Sequence, residues 1–508
     1  MANLDTGNTQ RVTRWMLISA TVIALYGIAE HLGIDARYWV QDVKSRVFST
    51  MGQPNWLAAY LAAIIPLTLA NFKFQIFNFK SVLNFKFLIL MILLTCLVFT
   101  KSRSGFLGLG AAAAGYLFFK KKHKTLGILG ILGILGILGW SIKNNSPTRQ
   151  LANSPTNLLI SKSTDIRQIV WQGAIEIGKH YPLLGTGPET FAYSYYWYRP
   201  REHNDLSEWD FLYNKAHNEY LNYFATTGGI GLLGYFGLIV GIILFVIRRI
   251  TNYELRITDR KNQNYNSTQI ALACGWISVL VTNFFGFSVV ITSLFFFLFP
   301  AMITVLNQSP TPNKQIQTRP LYKSQYFGIG LVLLFMLHNS LFMIRYWKAD
   351  FHYANGLKLN RQHQYLAAFG ELQTALALKE EANYHDEIAW SAANLAVIAQ
   401  KQKETELAKQ FTQTAQEQSA WALKISPYQI NFWKSRAKIF YKLAEIEPKD
   451  LKVAIEALTA ASELAPTDAK IRYNLGGLTG NVEDIKKALE LKPNYEEAKK
   501  ALEKLETK

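Results

Sequence analysis

The chain has 508 residues, half of them hydrophobic, and a net charge of +18. The average hydrophobicity is ordinary for a soluble protein, but its distribution is not: apolar runs of roughly 17–25 residues, long enough for a bilayer core, fill about the first 345 residues and none follows. The positive charge clusters between those runs and no nucleic-acid motif accompanies it, which argues against a nucleic-acid partner.

In chain order, about nine spans are predicted, starting near Trp15, Trp56, Phe87, Gly105, Leu126, Tyr220, Gln269, Ile291 and Tyr326. The first is too long for a cleavable leader and lacks the small-residue cleavage pattern. The fifth repeats Gly-Ile-Leu between Gly127 and Gly139. It reads as a low-complexity span, or as one whose glycines admit a neighbouring helix. Cys96 and Cys274 both fall inside apolar runs and read as small buried residues.

The loops orient the bundle. Arg11 and Arg14 precede the first span. Lys73, Lys80 and Lys86 separate the second and third. Lys120, Lys121, Lys122 and Lys124 separate the fourth and fifth. Arg248, Arg249, Arg256, Arg260 and Lys261 follow the sixth, and Lys314, Arg319 and Lys323 precede the ninth. With nine spans these all fall on one side, which is then cytoplasmic. The loop 143–218 falls outside, and an odd span count sends the C-terminal region outside too.

From about Trp347 the pattern is amphipathic helix. Ala/Leu-rich helices alternate with turns at Pro427, Pro466 and Pro493, spaced 39 and 27 residues apart. This resembles degenerate tetratricopeptide repeats, whose usual period is about 34 residues. Such stacked pairs have a concave surface suited to a protein partner, although a plain helical cap fits the pattern as well. The expected fold class is therefore all-α: a polytopic transmembrane bundle over 1–346 and an α-solenoid over 347–508.

Four polar features converge on the outer face. They are Arg46 before the second span, Arg103 in the turn between the third and fourth, Arg167 in the long loop, and His217 where that loop re-enters the membrane. Fixed guanidinium groups suit an anionic diphosphate, and a histidine suits proton transfer from a hydroxyl. A diphosphate leaves readily, so arginine charge can take the place of a metal. No acidic cluster with divalent-metal spacing stands in the outer loops. Each residue also fits a structural role. Arg103 and Lys101 suit interfacial anchors, Arg46 a solvated loop charge beside Asp42 and Lys44, and Arg167 a pair with Asp165 or Glu176. His217 suits a helix cap. Glu30 and His31 read as interfacial. The Gly185-Thr186-Gly187-Pro188 turn is a simple turn or an amide cradle for phosphate.

Four segments in order carry a resemblance. They are Arg46 to Asn55, with its Gly-Gln-Pro-Asn, and Ser-Arg-Ser-Gly at Ser102 to Gly105. Then come Arg167 to Phe191, ending Pro-Leu-Leu-Gly-Thr-Gly-Pro-Glu-Thr-Phe, and His-Asn-Glu-Tyr-Leu from His217 into a glycine-rich span. Together they resemble the O-antigen ligase and O-antigen polymerase superfamily over roughly residues 15–305, and tetratricopeptide-like fusions look common in that group. Members often carry more spans ahead of the Gly-x-Pro-Asn segment than the one found here.

The resemblance implies a metal-independent, inverting membrane glycosyltransferase without a cofactor. It would use a glycan on undecaprenyl diphosphate and an acceptor hydroxyl on a glycan, lipid or protein. Arg103 and Arg167 would hold the diphosphate, His217 would activate the acceptor or orient the reacting groups, and Arg46 and Asn218 would support them. The location implied is a bacterial cytoplasmic membrane, with the N-terminus cytoplasmic and the long loop and C-terminal domain outside.

Overall fold

The structure, a computed structural model, describes residues 6–39, 41–70, 85–119, 130, 163–211, 213–254, 260–306 and 322–507. Among these, all regular structure is helical. The chain divides into two compact units: Met1–Phe191 with Tyr213–Ile316, and Ala192–Leu212 with Gln317–Lys508.

The first unit holds α1 (Thr6–His31), α2 (Pro54–Leu69), α3 (Phe85–Phe99), α4 (Arg103–Phe119) and α5 (Ser163–His180). After α6 (Phe191–Tyr198) come α7 (Glu219–Glu254), α8 (Arg260–Phe284) and α9 (Val290–Leu306). Asn8–His31, Glu219–Ile250 and Ser267–Phe284 are long and apolar enough to cross a membrane; α2, α3 and α9 are shorter apolar helices. Helix α4 stands at the place of the fourth expected span. The span expected from Leu126 and the lysines at 120–124 lie outside the described residues.

Helix α2 shows how the sequence sets an element. Gln53 Oε1 accepts the amides of Asn55 (2.8 Å) and Trp56 (3.0 Å). Pro54 fills the first helical position, where a missing N–H costs nothing. The remainder is uncharged and almost wholly buried. A Cβ on Gly275 of α8 would stand 2.3 Å from the Ala63 carbonyl of α2, so glycine is what lets these two backbones meet. Around that contact Leu57, Leu61, Ile64, Leu97, Phe299 and Met302 form a sealed core.

The second unit holds α10 (Lys323–Arg361), α11 (Tyr365–Leu378), α12 (Ala382–Lys401), α13 (Thr405–Ile425) and α14 (Ile430–Leu443). It continues with α15 (Asp450–Leu464), α16 (Ala469–Thr479), α17 (Val482–Leu491) and α18 (Glu496–Glu506). Helix α10 is a single rod of about 58 Å at 1.5 Å per residue. It too is long and apolar enough to cross a membrane. Its apolar part, including Phe327, Leu334 and Ile344, is exposed. Its last turns bury Ala349 and Gly356, the latter against Leu372 of α11. The expected boundary after residue 346 thus falls inside one continuous helix. Beyond it, consecutive helices pack on one another through alanine-rich faces such as Ala389, Ala393, Ala396 and Ala415. Pro427, Pro466 and Pro493 each stand in a turn between two of these helices.

Candidate active site

At one end of the first unit, the C-terminal ends of α1, α3 and α8 meet the N-terminal ends of α2, α4, α7 and α9. The segment 42–52 is pinned there. Glu30, fully buried at the end of α1, accepts the amides of Phe48 and Ser49 at 2.8 Å each. Val47 N donates to Phe99 O at 3.3 Å. Glu30 therefore holds backbone, and His31 stacks on Phe99 with ring centroids 3.9 Å apart.

That pinning delivers Arg46. Its Nε donates to Thr100 O at 3.0 Å and its Nη2 to Asn55 Oδ1 at 3.3 Å. The Ser102 hydroxyl donates to the same Asn55 oxygen at 2.8 Å. The Gly-Gln-Pro-Asn and Ser-Arg-Ser-Gly segments are thus one hydrogen-bonded unit centred on Asn55. Burial lowers the Arg46 pKa. Arg103, the first residue of α4, is exposed beside this network.

Arg167 comes from α5, an amphipathic helix that buries Ile166, Ile169, Val170 and Ala174. Burial, then the charges of Arg46 and Arg103, lower the pKa of Arg167, so the three guanidinium groups share one electrostatic neighbourhood. Among the described residues none of the three forms an ion pair. Of the two expected alternative partners of Arg167, Asp165 and Glu176, the latter pairs instead with Lys179 at 2.6 Å.

His217 completes the group. Its backbone is left-handed, with φ of 51°. The Ala216 amide donates to Asn222 Oδ1 at 3.3 Å, and Asn218 Oδ1 accepts the Leu221 amide at 3.1 Å. Asn218 is buried and caps α7. The imidazole lies edge-on to Tyr213 and Phe287, with ring centroids at 5.9 and 5.3 Å. Burial, aided by the charge of Arg167, pushes the His217 pKa down to about 4, so the ring is neutral at neutral pH and carries a free lone pair.

His217 borders a cavity of about 110 Å³, with Gln53, Asn55, Trp56, Ser104 and Asn283 among its lining residues. Asn283 and the loop after α8 were not singled out from sequence. Asn283 Nδ2 donates to Ser288 Oγ at 3.0 Å, and Glu219 Oε2 accepts the Ser288 amide at 3.0 Å. The signal in the sequence is a Thr-Asn pair near the end of the apolar half of α8.

The Gly-Thr-Gly-Pro turn has its amides engaged. Thr186 N donates to Ala225 O at 3.1 Å and Gly187 N to Thr226 O at 2.9 Å. The turn docks on a break in α7 at Gly228, whose φ and ψ are 64° and −167°. A Cβ at Gly228 would meet Leu183 O at 2.3 Å, and one at Gly185 would meet Thr226 C at 2.4 Å. This turn is therefore a joint, not a phosphate cradle. Glu189 and Lys215, 2.5 Å apart, close the neck where the chain leaves this unit and returns to it. Among the described residues no group of three His, Cys, Asp or Glu stands where it could hold a metal ion.

Residues 88–236 match the model of a family described as O-antigen ligase. No curated protein matches the chain.

Proposed function

We propose, from the match of residues 88–236 to the O-antigen ligase family, that this chain is an inverting membrane glycosyltransferase using a lipid-diphosphate-linked glycan donor. The observation that carries this is the arginine group. Arg46 and Arg103 both act on Arg167, none of the three has a carboxylate partner among the described residues, and Arg167 also acts on a neutral histidine. Like charges held together in a half-buried site call for an anion, and the planar fork of arginine fits phosphate oxygens.

In the proposed reaction an acceptor hydroxyl attacks the anomeric carbon of the donor sugar. The new bond is acceptor oxygen to C1; the bond broken is C1 to the diphosphate oxygen. The hydroxyl proton passes to the neutral imidazole of His217. Arg103 and Arg167 hold the departing diphosphate and Arg46 supports them, so stabilisation comes from charge already in place. Asn218 positions His217 by capping α7. The donor is assigned as an undecaprenyl-diphosphate glycan, and the acceptor as a hydroxyl of a glycan, lipid or protein.

The site is assigned to the extracytoplasmic face of a bacterial cytoplasmic membrane. Supporting this, Arg248 and Arg249 lie towards the far end of α7, and Arg11 and Arg14 at the start of α1, opposite the site. His217→Ala and Arg167→Ala test the roles: each is expected to abolish glycan transfer while the protein stays in the membrane at normal level. Unchanged transfer in both would remove the role assignments.

A further inference from the structure

The stretch 192–212 is part of the long loop in sequence, yet it folds into the C-terminal unit. Its described residues, 192–211, form a strap built of α6 and a 3-10 turn at Arg201–Asp205. Tyr195 OH bonds His203 Nδ1 at 2.9 Å, and Arg199 Nη1 donates to Trp209 O at 3.1 Å.

The strap lies along one edge of the repeats, the edge formed by their proline turns. At the Pro427 turn, Tyr193 OH stands 3.3 Å from Ser426 Oγ. Near the Pro466 turn, Tyr196 is buried with Ile430, Ala461, Ala465 and Ile471. Arg199 Nη2 donates to Thr467 O at 3.2 Å and sits 3.8 Å from Asp468, both side chains almost fully buried. Thr467 returns a bond from its hydroxyl to Arg199 O at 2.9 Å. Asn204 Nδ2 donates to Thr467 O at 2.8 Å, and its Oδ1 accepts the Ala469 amide at 3.4 Å. At the Pro493 turn, Arg201 Nε donates to Glu490 O at 2.9 Å and Lys492 Nζ donates to Asn204 O. Trp209 meets Tyr495 edge-on at 5.4 Å. Asp210 then pairs with Lys434 at 3.2 Å and with Lys470.

A buried arginine and a buried asparagine whose partners lie in the tail leave uncompensated polar groups when those partners are lost. Docking at three separate turns, every second one along the C-terminal helices, is the pattern of a fitted interface rather than an incidental touch. Both ends of the strap run into the site: Phe191 ends the joint segment, and Tyr213 starts the four residues leading to His217. The Glu189–Lys215 pair holds those ends together.

We propose that the C-terminal helices act in cis as a clamp on this strap, with Arg199, Asn204 and Asp468 as positioning residues that set the loop carrying His217. The proposal rests on the transferase reading for its consequence, not for the docking itself.

The test uses the full chain in membranes. Asp468→Asn keeps an oxygen to cap α16, whose Lys470 and Ile471 amides Asp468 now accepts, but removes the charge facing Arg199. Asn204→Ala breaks the interface from the strap side. Amide hydrogen exchange over 192–218 and the kcat and KM of transfer are read together, with exchange in α2 and α4 as the folding control. The clamp predicts faster exchange in both the strap and residues 213–218, control helices unchanged, and kcat lowered about tenfold with donor KM little altered. Faster exchange confined to 192–212 with kcat unchanged would overturn it, as would unchanged exchange in both variants. Exchange needs no turnover, so a chain with no transferase activity still tests the coupling. Such a result would sink the transferase reading while leaving the clamp to stand or fall on exchange at 213–218.

Discussion

At the residue scale the site turns on His217 being neutral. A base must be deprotonated to act, so with His217 in the proposed role transfer is predicted to be lost as pH falls through its pKa, which burial and Arg167 hold near 4 in the free site. A bound diphosphate offsets the charge of Arg167. The acid limb of kcat is therefore predicted at higher pH than that of kcat/KM, measured as paired pH–rate profiles at constant ionic strength. An acid limb that His217→Gln leaves in place would assign it elsewhere. Arg167→Lys keeps the charge but loses the fork, and is predicted to lower kcat/KM roughly ten- to a hundredfold. The grouping of the arginines with His217 is legible because each stands in a short polar motif beside an apolar run. The backbone-holding role of Glu30 is not legible, because a carboxylate at a helix end looks interfacial. Its burial depends on segment 42–52 folding over it, which no local pattern reveals. Asn283 escaped notice because it closes a span otherwise made of core residues.

At the element scale the glycine-rich start of α7 is a fitted joint. Gly228 has a backbone that only glycine adopts freely and abuts the Leu183 carbonyl. Gly228→Ala is predicted to destabilise by about 3 kcal/mol or more, combining strain with a clash. Its check is a lowered thermal midpoint in detergent, with Gly234→Ala, where a Cβ meets nothing, as the matched control. The apolar helices were readable from run length and the tail helices from their period. The partner of the Gly-Thr-Gly-Pro turn was not, since it lies some forty residues on and pairs backbone with backbone. The proline turns were visible as punctuation, but not as a docking edge, because the strap that reads them sits more than two hundred residues upstream.

At the scale of the whole molecule, a strap from the long loop packed into the C-terminal helices requires both on the same side of the membrane. A single cysteine at Lys449, exposed beside Glu447, is predicted to react with an impermeant maleimide in intact spheroplasts. One at Arg248 should react only after permeabilisation, and the native Cys96 and Cys274 are buried and silent. Reversed labelling would place the site in the cytoplasm. Truncation after Trp347 removes the strap's seat and exposes Tyr196 and Arg199, so it is predicted to lower glycan transfer. An external protein partner is predicted to use a face of the C-terminal helices other than the edge that seats the strap. The most direct measurement is glycan transfer in a strain lacking this chain, complemented with wild type or His217→Ala at matched membrane levels, resolving glycan length and attachment. The account predicts that wild type restores attached or polymerised glycan and His217→Ala does not, with donor left on its lipid carrier. Full restoration by His217→Ala would contradict it.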